Sequence, residues 1–212
     1  MPLLTERWND QQNHIPHSGQ HILAQHTNES IVVYQAYMPA IADYAVKHQQ
    51  FGGPHFSFGR MSWIKPNFLW MMYRCGWCEK QNQERVLAIT IKRQVFDEIL
   101  FEAAHSSFNS SVYASHDDWK RVLSEKPVRL QWDPDHDPHV KPLTRRAIQL
   151  GLKDDVLHKF GTTALQIEDV TPFVRQQKQH VDARQLDLLE VPKERIYVPA
   201  DVALVKQIEL DV

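Results

Sequence analysis

The segment Arg60-Met61-Ser62-Trp63-Ile64-Lys65-Pro66-Asn67-Phe68-Leu69-Trp70-Met71-Met72-Tyr73-Arg74 restricts the fold of this chain more than any other stretch. Pro66 drives Lys65 away from helical backbone and suits the first turn of a following helix. The pattern predicts an extended run from Phe56 to Ile64, then a helix from Asn67 to about Trp77. Phe68, Met71 and Met72 fall on one helical stripe, so that face must be buried. Three cations, Arg60, Lys65 and Arg74, stand among Trp63, Phe68, Trp70 and Tyr73. A charge beside so much apolar surface has to be paired or has to face a cleft. Cations next to aromatic rings suit a ligand with phosphates and a flat heterocycle: a nucleotide, a dinucleotide or an unstacked base.

The flanking sequence supplies the rest of an α+β pattern. Ile31 to Tyr37 is β-branched and aromatic and predicts a strand. Pro39 opens a helix with Ile41, Ala42, Ala45 and Val46 at helical spacing, and Gly52-Gly53-Pro54 stops it. Val86 to Ile91 reads as a buried strand, leading into a helix from Arg93 to about Ala104. A Ser-rich loop, Ser106 to Ser115, and a short helix precede the alternating strand Val128 to Trp132. Asp133 to Pro138 reads as a loop, because its Pro and Asp residues favour turns. Arg145 to Leu152 reads as a short helix or turn ended by Gly151. Ala164 to Val170 predicts a late strand, Phe173 to about Leu189 a polar helix, and Arg195 to Val198 a last strand. This order predicts one α+β domain over residues 29–212, with a curved, mostly antiparallel sheet and packed helices. Residues 1–28, polar and rich in Gln, Asn and His, read as an N-terminal extension.

Charge narrows the function classes. With 24 Lys+Arg against 26 Asp+Glu, the chain does not bind nucleic acid by bulk charge, which leaves a local basic groove. The chain opens without a basic-then-apolar leader. Its most apolar block, Phe68 to Tyr73, is far short of the roughly 18 residues of a membrane span. It therefore reads as cytoplasmic, with no membrane partner, and two cysteines are too few for a disulfide framework.

Several small motifs carry little. Cys75-Gly76-Trp77-Cys78 has redox-pair spacing but falls near a helix C-terminus, where the dipole does not favour a thiolate. A zinc site would need a second such pair, and the sequence has none. His14, His17, His21 and His26 crowd a segment broken by Pro16 and Gly19, so they read as solvated. The cluster Asp133, Asp135, His136, Asp137 and His139 lacks the Gly and closing Glu of a calcium loop. No metal is required on this reading. G-x-G-x-x-G, Walker and G-x-S-x-G motifs are all missing, which disfavours Rossmann, P-loop and α/β-hydrolase sites. Trp132 and Asp133 close a strand, where scaffolds place functional side chains, and Arg146 and Gln149 add polar contacts; all four are candidate substrate-binding residues.

The block from Arg60 to Arg74 resembles the hallmark of domain-of-unknown-function 4291, an uncharacterised family of bacteria and fungi. Val33-Tyr34-Gln35-Ala36-Tyr37, Gln83 to Ile89, Gln131 to Pro134, Arg146 to Leu152 and Ile167-Glu168-Asp169 match it as well, and together they span roughly residues 30 to 200. Cys75 stands where the family pattern has Ser. At the level of element order, the chain is also similar to a diverged ADP-ribosyltransferase fold. That second resemblance implies NAD as the ligand and ADP-ribose transfer to a protein or nucleic acid as the reaction. Arg60, with Lys65, would then hold the NAD pyrophosphate, Tyr34 or Trp63 would stack on nicotinamide, and Arg74 would be a further cofactor-binding residue. Glu168, in Gln166-x-Glu168, would be the catalytic carboxylate. Gln35 stands where such enzymes have Arg or His, and the face carrying Glu168 equally fits a surface strand. The alternatives are a non-enzymatic module binding RNA or nucleotides through stacked aromatics and arginines, and an interaction protein with no small-molecule site.

Overall fold

The computed structural model describes residues 2–212. Its elements begin with β1 (Thr5–Arg7), α1 (Trp8–Gln11), β2 (Ile22–Ala24), β3 (Ser30–Tyr37), α2 (Pro39–His48), β4 (Ser62–Ile64) and α3 (Phe68–Cys75). Next come β5 (Arg85–Lys92), α4 (Arg93–Phe101), β6 (Ala103–His105), α5 (His116–Glu125), β7 (Val128–His136) and β8 (Pro142–Leu152). The chain continues through α6 (Asp154–Thr162), β9 (Gln166–Asp169), α7 (Thr171–Asp182), β10 (Glu190–Pro192), β11 (Arg195–Tyr197) and α8 (Val202–Gln207).

Strand alternation sorts the apolar side chains onto two faces, because successive residues of a strand point opposite ways. Ile31, Val33, Leu87, Ile89 and Ile167 share one core with Ile64, Leu130, Ile148 and Leu150, beneath α4 and α6. Val32, Tyr34, Val86 and Ala88 turn the other way and meet Phe68 and Met72 of α3 and Val174 of α7. The strands run in two sheets, β3-β5-β9 and β4-β8-β7-β6, antiparallel except where β6 meets β7. The class is α+β with mostly antiparallel sheets, as the element order predicts. Two short ribbons, β1-β10 and β2-β11, tie part of the polar extension to the far end of the sequence.

Helix α3 is fixed at both ends by its own sequence. The Asn67 side chain accepts a hydrogen bond from Trp70 N at 2.7 Å, and Gly76 closes the helix in left-handed backbone at φ 58°. The buried Glu194 carboxylate accepts from Phe68 N at 2.6 Å, which supplies one of the unpaired amides of the first turn. Burial holds this carboxyl well above its ordinary range.

Several predicted elements differ in the structure. The polar helix predicted to about Leu189 ends at Asp182. Arg145 to Leu152 belongs to strand β8, not to a helix or turn: Ile148, Leu150 and Leu152 point into the core at a period of two. Asp133 to His136 continues β7, although its prolines suggested a loop. β6 pairs β7 only from Val128 to Leu130, so Pro134 has a single strand neighbour and its missing amide is tolerated. Within the run from Phe56 to Ile64, the strand is confined to Ser62–Ile64. Phe56 and Phe58 pack instead as a ring cluster with Phe51.

Candidate functional site

β3 and β4 touch at one end and part at the other. Tyr34 N donates to Lys65 O at 2.7 Å, and Lys65 N donates to Tyr34 O at 3.1 Å. Toward Tyr37, side chains take over from main-chain pairing. Gln35 Nε2 donates to Ser62 Oγ at 2.7 Å and to Trp63 O at 3.2 Å, while Tyr37 OH meets Ser62 Oγ at 2.6 Å. The parted strands leave a cleft of about 290 Å³ walled by Trp63, Lys65, Met71, Arg74, Gln83 and Gln149. A hollow of about 490 Å³ adjoins it, shares Ala36, Tyr37, Met61 and Ser62 as its wall, and reaches Arg60. Gly151 makes this arrangement possible. A Cβ there would stand 2.7 Å from Met61 Sδ and 2.9 Å from Trp63 Cε2.

The cations are the unusual part. Lys65 is 4% exposed, and its Nζ donates to Trp63 O at 3.3 Å. Among the described residues no carboxylate forms an ion pair with Lys65, Arg60 or Arg74. Burial first, then the charge of Arg74, lowers the Lys65 amine to about 7, against weaker pulls from Cys75 and Asp133. Arg60 and Arg74 are exposed at the mouth. Asp133 is bracketed from two strands: Gln131 Nε2 donates to its Oδ1 at 2.9 Å, and Gln149 Nε2 to its Oδ2 at 2.8 Å.

Of the residues singled out from sequence, Trp63, Lys65, Arg74 and Gln149 line the cleft, and Arg60 lines the adjoining hollow. Tyr34 lies fully buried beneath the backbone rung, its ring against Phe68, so it presents no face for stacking. Asp133 stands one hydrogen bond behind the wall. Trp132 and Arg146 line a separate hollow of about 350 Å³ with His105 and Glu209. Glu168 is not a wall residue. Register places it opposite Ala88, which faces Tyr34, which faces Lys65. Three strand spacings, about 14 Å, separate the two backbones. Ser62, Met61 and Gln83 are wall residues that sequence reasoning did not single out; Tyr37 entered it only as part of a strand, and Gln35 only as a departure from the transferase pattern.

The remaining clusters have structural employment. Arg145 Nε donates to Asp135 Oδ2 at 2.8 Å in a buried pair, and His136 stacks on Tyr73 with ring centres 3.6 Å apart. Cys75 and Cys78 are buried free thiols beside the C-terminus of α3. Among the described residues no group of three or more His, Cys, Asp or Glu is placed to hold a metal, and no helix is long and apolar enough to cross a membrane. A larger cavity of about 900 Å³ lies along α4 and α6. Its Arg93 already donates to Tyr197 OH and Val198 O, and its Lys159 is paired with Glu98. The smaller cleft holds a buried lysine with no carboxylate paired to it, which makes it the better candidate.

Compared with known families, residues 21–197 match the model of a family described as a domain of unknown function (DUF4291). The matched span runs from β2 to β11 and includes every residue of the cleft. No curated protein matches the chain.

Proposed function

The chain belongs to the DUF4291 family, and from that premise we propose that the cleft between β3 and β4 binds a nucleotide-type ligand. One observation carries this reading: Arg60, Lys65 and Arg74 surround two joined hollows with Trp63 and Tyr37, and none of the three has an acidic partner among the described residues. Arg60 and Arg74 would take phosphate oxygens in forked hydrogen bonds. Trp63 offers an aromatic face for a base, and Gln83 and Gln149 offer amides for sugar hydroxyls. The two hollows, of about 290 and 490 Å³, suit a ligand with two linked halves, such as NAD. An interaction protein without a ligand would be expected to spend these cations in surface ion pairs.

NAD-dependent ADP-ribose transfer to a protein or nucleic acid is the reactive form of the same reading. Asp133, held by Gln131 and by the wall residue Gln149, favours it as a carboxylate one hydrogen bond from the cleft. It would take the part first given to Glu168, hydrogen-bonding the ribose and stabilising developing positive charge as nicotinamide leaves.

The test is a thermal-shift titration with NAD, ADP-ribose, ATP and a short single-stranded RNA, on wild type, Arg60→Ala and Arg74→Ala. Ligand at a hundred times its dissociation constant stabilises by about 2.7 kcal/mol, a rise of roughly 5–10 °C at this chain length. A rise with NAD that both variants lose supports the reading, and a rise with RNA alone supports the binding module. No rise with any of the four sinks it. For transfer, Asp133→Asn should abolish activity and Glu168→Gln should leave it.

A further inference from the structure

We infer that Lys65 is a nucleophilic amine that captures the carbonyl group of a ligand in the cleft as an imine. The ligand class is a phosphate-bearing aldehyde or ketone, including the open-chain form of a sugar phosphate. The phosphate part rests on the nucleotide reading above; the amine does not.

A lysine that serves only as a clamp for anions sits best at a solvated mouth, with its charge intact. Arg60 and Arg74 have that position. Lys65 does not: it is 4% exposed, held at the floor where β3 and β4 diverge, and it is a wall residue of the cleft. Its Nζ has three donors when protonated, and the structure gives it one acceptor, Trp63 O at 3.3 Å. A buried ammonium so poorly supplied is costly, and the cost falls away when the amine is neutral. The groups that face it agree. Arg74 and Cys75 come from α3 and Asp133 from β7. Of these, Asp133 is the only carboxylic acid, and it is already bonded to two glutamine amides. Desolvation beside a second cation is how an amine is made nucleophilic near neutral pH.

The chemistry balances within the cleft. The Nζ lone pair adds to the carbonyl carbon while the C=O π pair moves to oxygen. The nitrogen gives up two protons, the oxygen leaves as water, and a C=N bond remains. Trp63 and Met71 wall the same space. With cyanoborohydride, hydride adds to the imine carbon and the adduct becomes a stable secondary amine.

The experiment uses the full chain, two probes and peptide mapping by mass. Pyridoxal tests the amine alone, and pyridoxal 5′-phosphate adds the phosphate. An ordinary lysine is free amine in only about one molecule in 2,500 at pH 7. Lys65 is therefore expected to be trapped about tenfold or more faster than exposed lysines such as Lys47 and Lys141, with a rate midpoint near neutral pH. Lys65→Arg, which keeps a cation but forms no imine, should lose this fast label. The mapping is done on wild type, so it does not depend on any variant folding. If Lys65 is trapped no faster than the exposed lysines, the inference is overturned whatever the nucleotide titration shows. If both probes trap Lys65 equally fast, the amine stands and the phosphate clamp fails.

Discussion

Tyr34 and Lys65 exchange both of their backbone hydrogen bonds, at 2.7 and 3.1 Å, and this rung is where the two large sheets become one surface. Beyond it the strands separate, and the cleft is what the separation leaves. The side chains that hold the strands at their parted distance are therefore as much part of the site as those that face a ligand.

Ser62 is the clearest of these. Its hydroxyl accepts from Gln35 Nε2 and bonds Tyr37 OH. Ser62→Ala leaves the Gln35 amide only its Trp63 O acceptor and takes the Ser62 partner from a phenol whose ionisation burial already opposes. The expected cost is about 1–3 kcal/mol, read from denaturant unfolding, with weaker nucleotide binding alongside.

Gly151 has no Cβ because Met61 and Trp63 occupy its place. Gly151→Ala should push the indole into the cleft and cost about 1–3 kcal/mol by overpacking. Quenching of Trp63 fluorescence by a titrated ligand should weaken more than the stability change explains.

Lys65 gives a pH signature. Its folded-state amine is lowered to about 7, below its unfolded value. A depressed group of this kind costs nothing above its unfolded pKa and costs more as pH falls toward the folded one. Lys65→Met should therefore be more stable than wild type near pH 7, by an amount that shrinks as pH rises to about 10. Unfolding midpoints measured across that range check it, and a gap that widens with pH would contradict the burial of this amine.

Arg145 and Asp135 are 3% and 1% exposed as a pair. Arg145→Met leaves the carboxylate buried without its partner and should cost about 3–5 kcal/mol. Burial already raises the Asp135 carboxyl and Arg145 opposes that rise, so Asp135→Asn in the same chain should recover part of the loss. Thermal melts of the single and double variants make the comparison.

The elements written into local apolar pattern were legible in the sequence. β3, β5 and α3 each carry enough β-branched or striped apolar residues to be placed within a residue or two. β8 was not, because Ala147, Gln149 and Gly151 alternate with Ile148, Leu150 and Leu152 in a way that Gly151 disguises as a helix stop. That glycine answers to Trp63, a partner far away in sequence. The site divides on the same line. Lys65 and Arg74 stood out because charges among aromatics violate local expectation. Ser62 and Gln83 look ordinary until strand pairing brings them to the cleft. Glu168 met the local pattern of a functional acid, and only the register shows that it stands on the edge of the sheet away from the cleft.

The ribbon between β1 and β10 sets an order of events during synthesis. Thr5 Oγ1 donates to Glu190 Oε2 across 185 positions. At about 5–20 residues per second, Thr5 waits on the order of ten to forty seconds at the ribosome before its partner exists. Ile22, Leu23 and Ala24 wait almost as long for the strand partner they have in β11. Closure of these ribbons therefore belongs to the last steps of folding, after the strands and helices between them have been made.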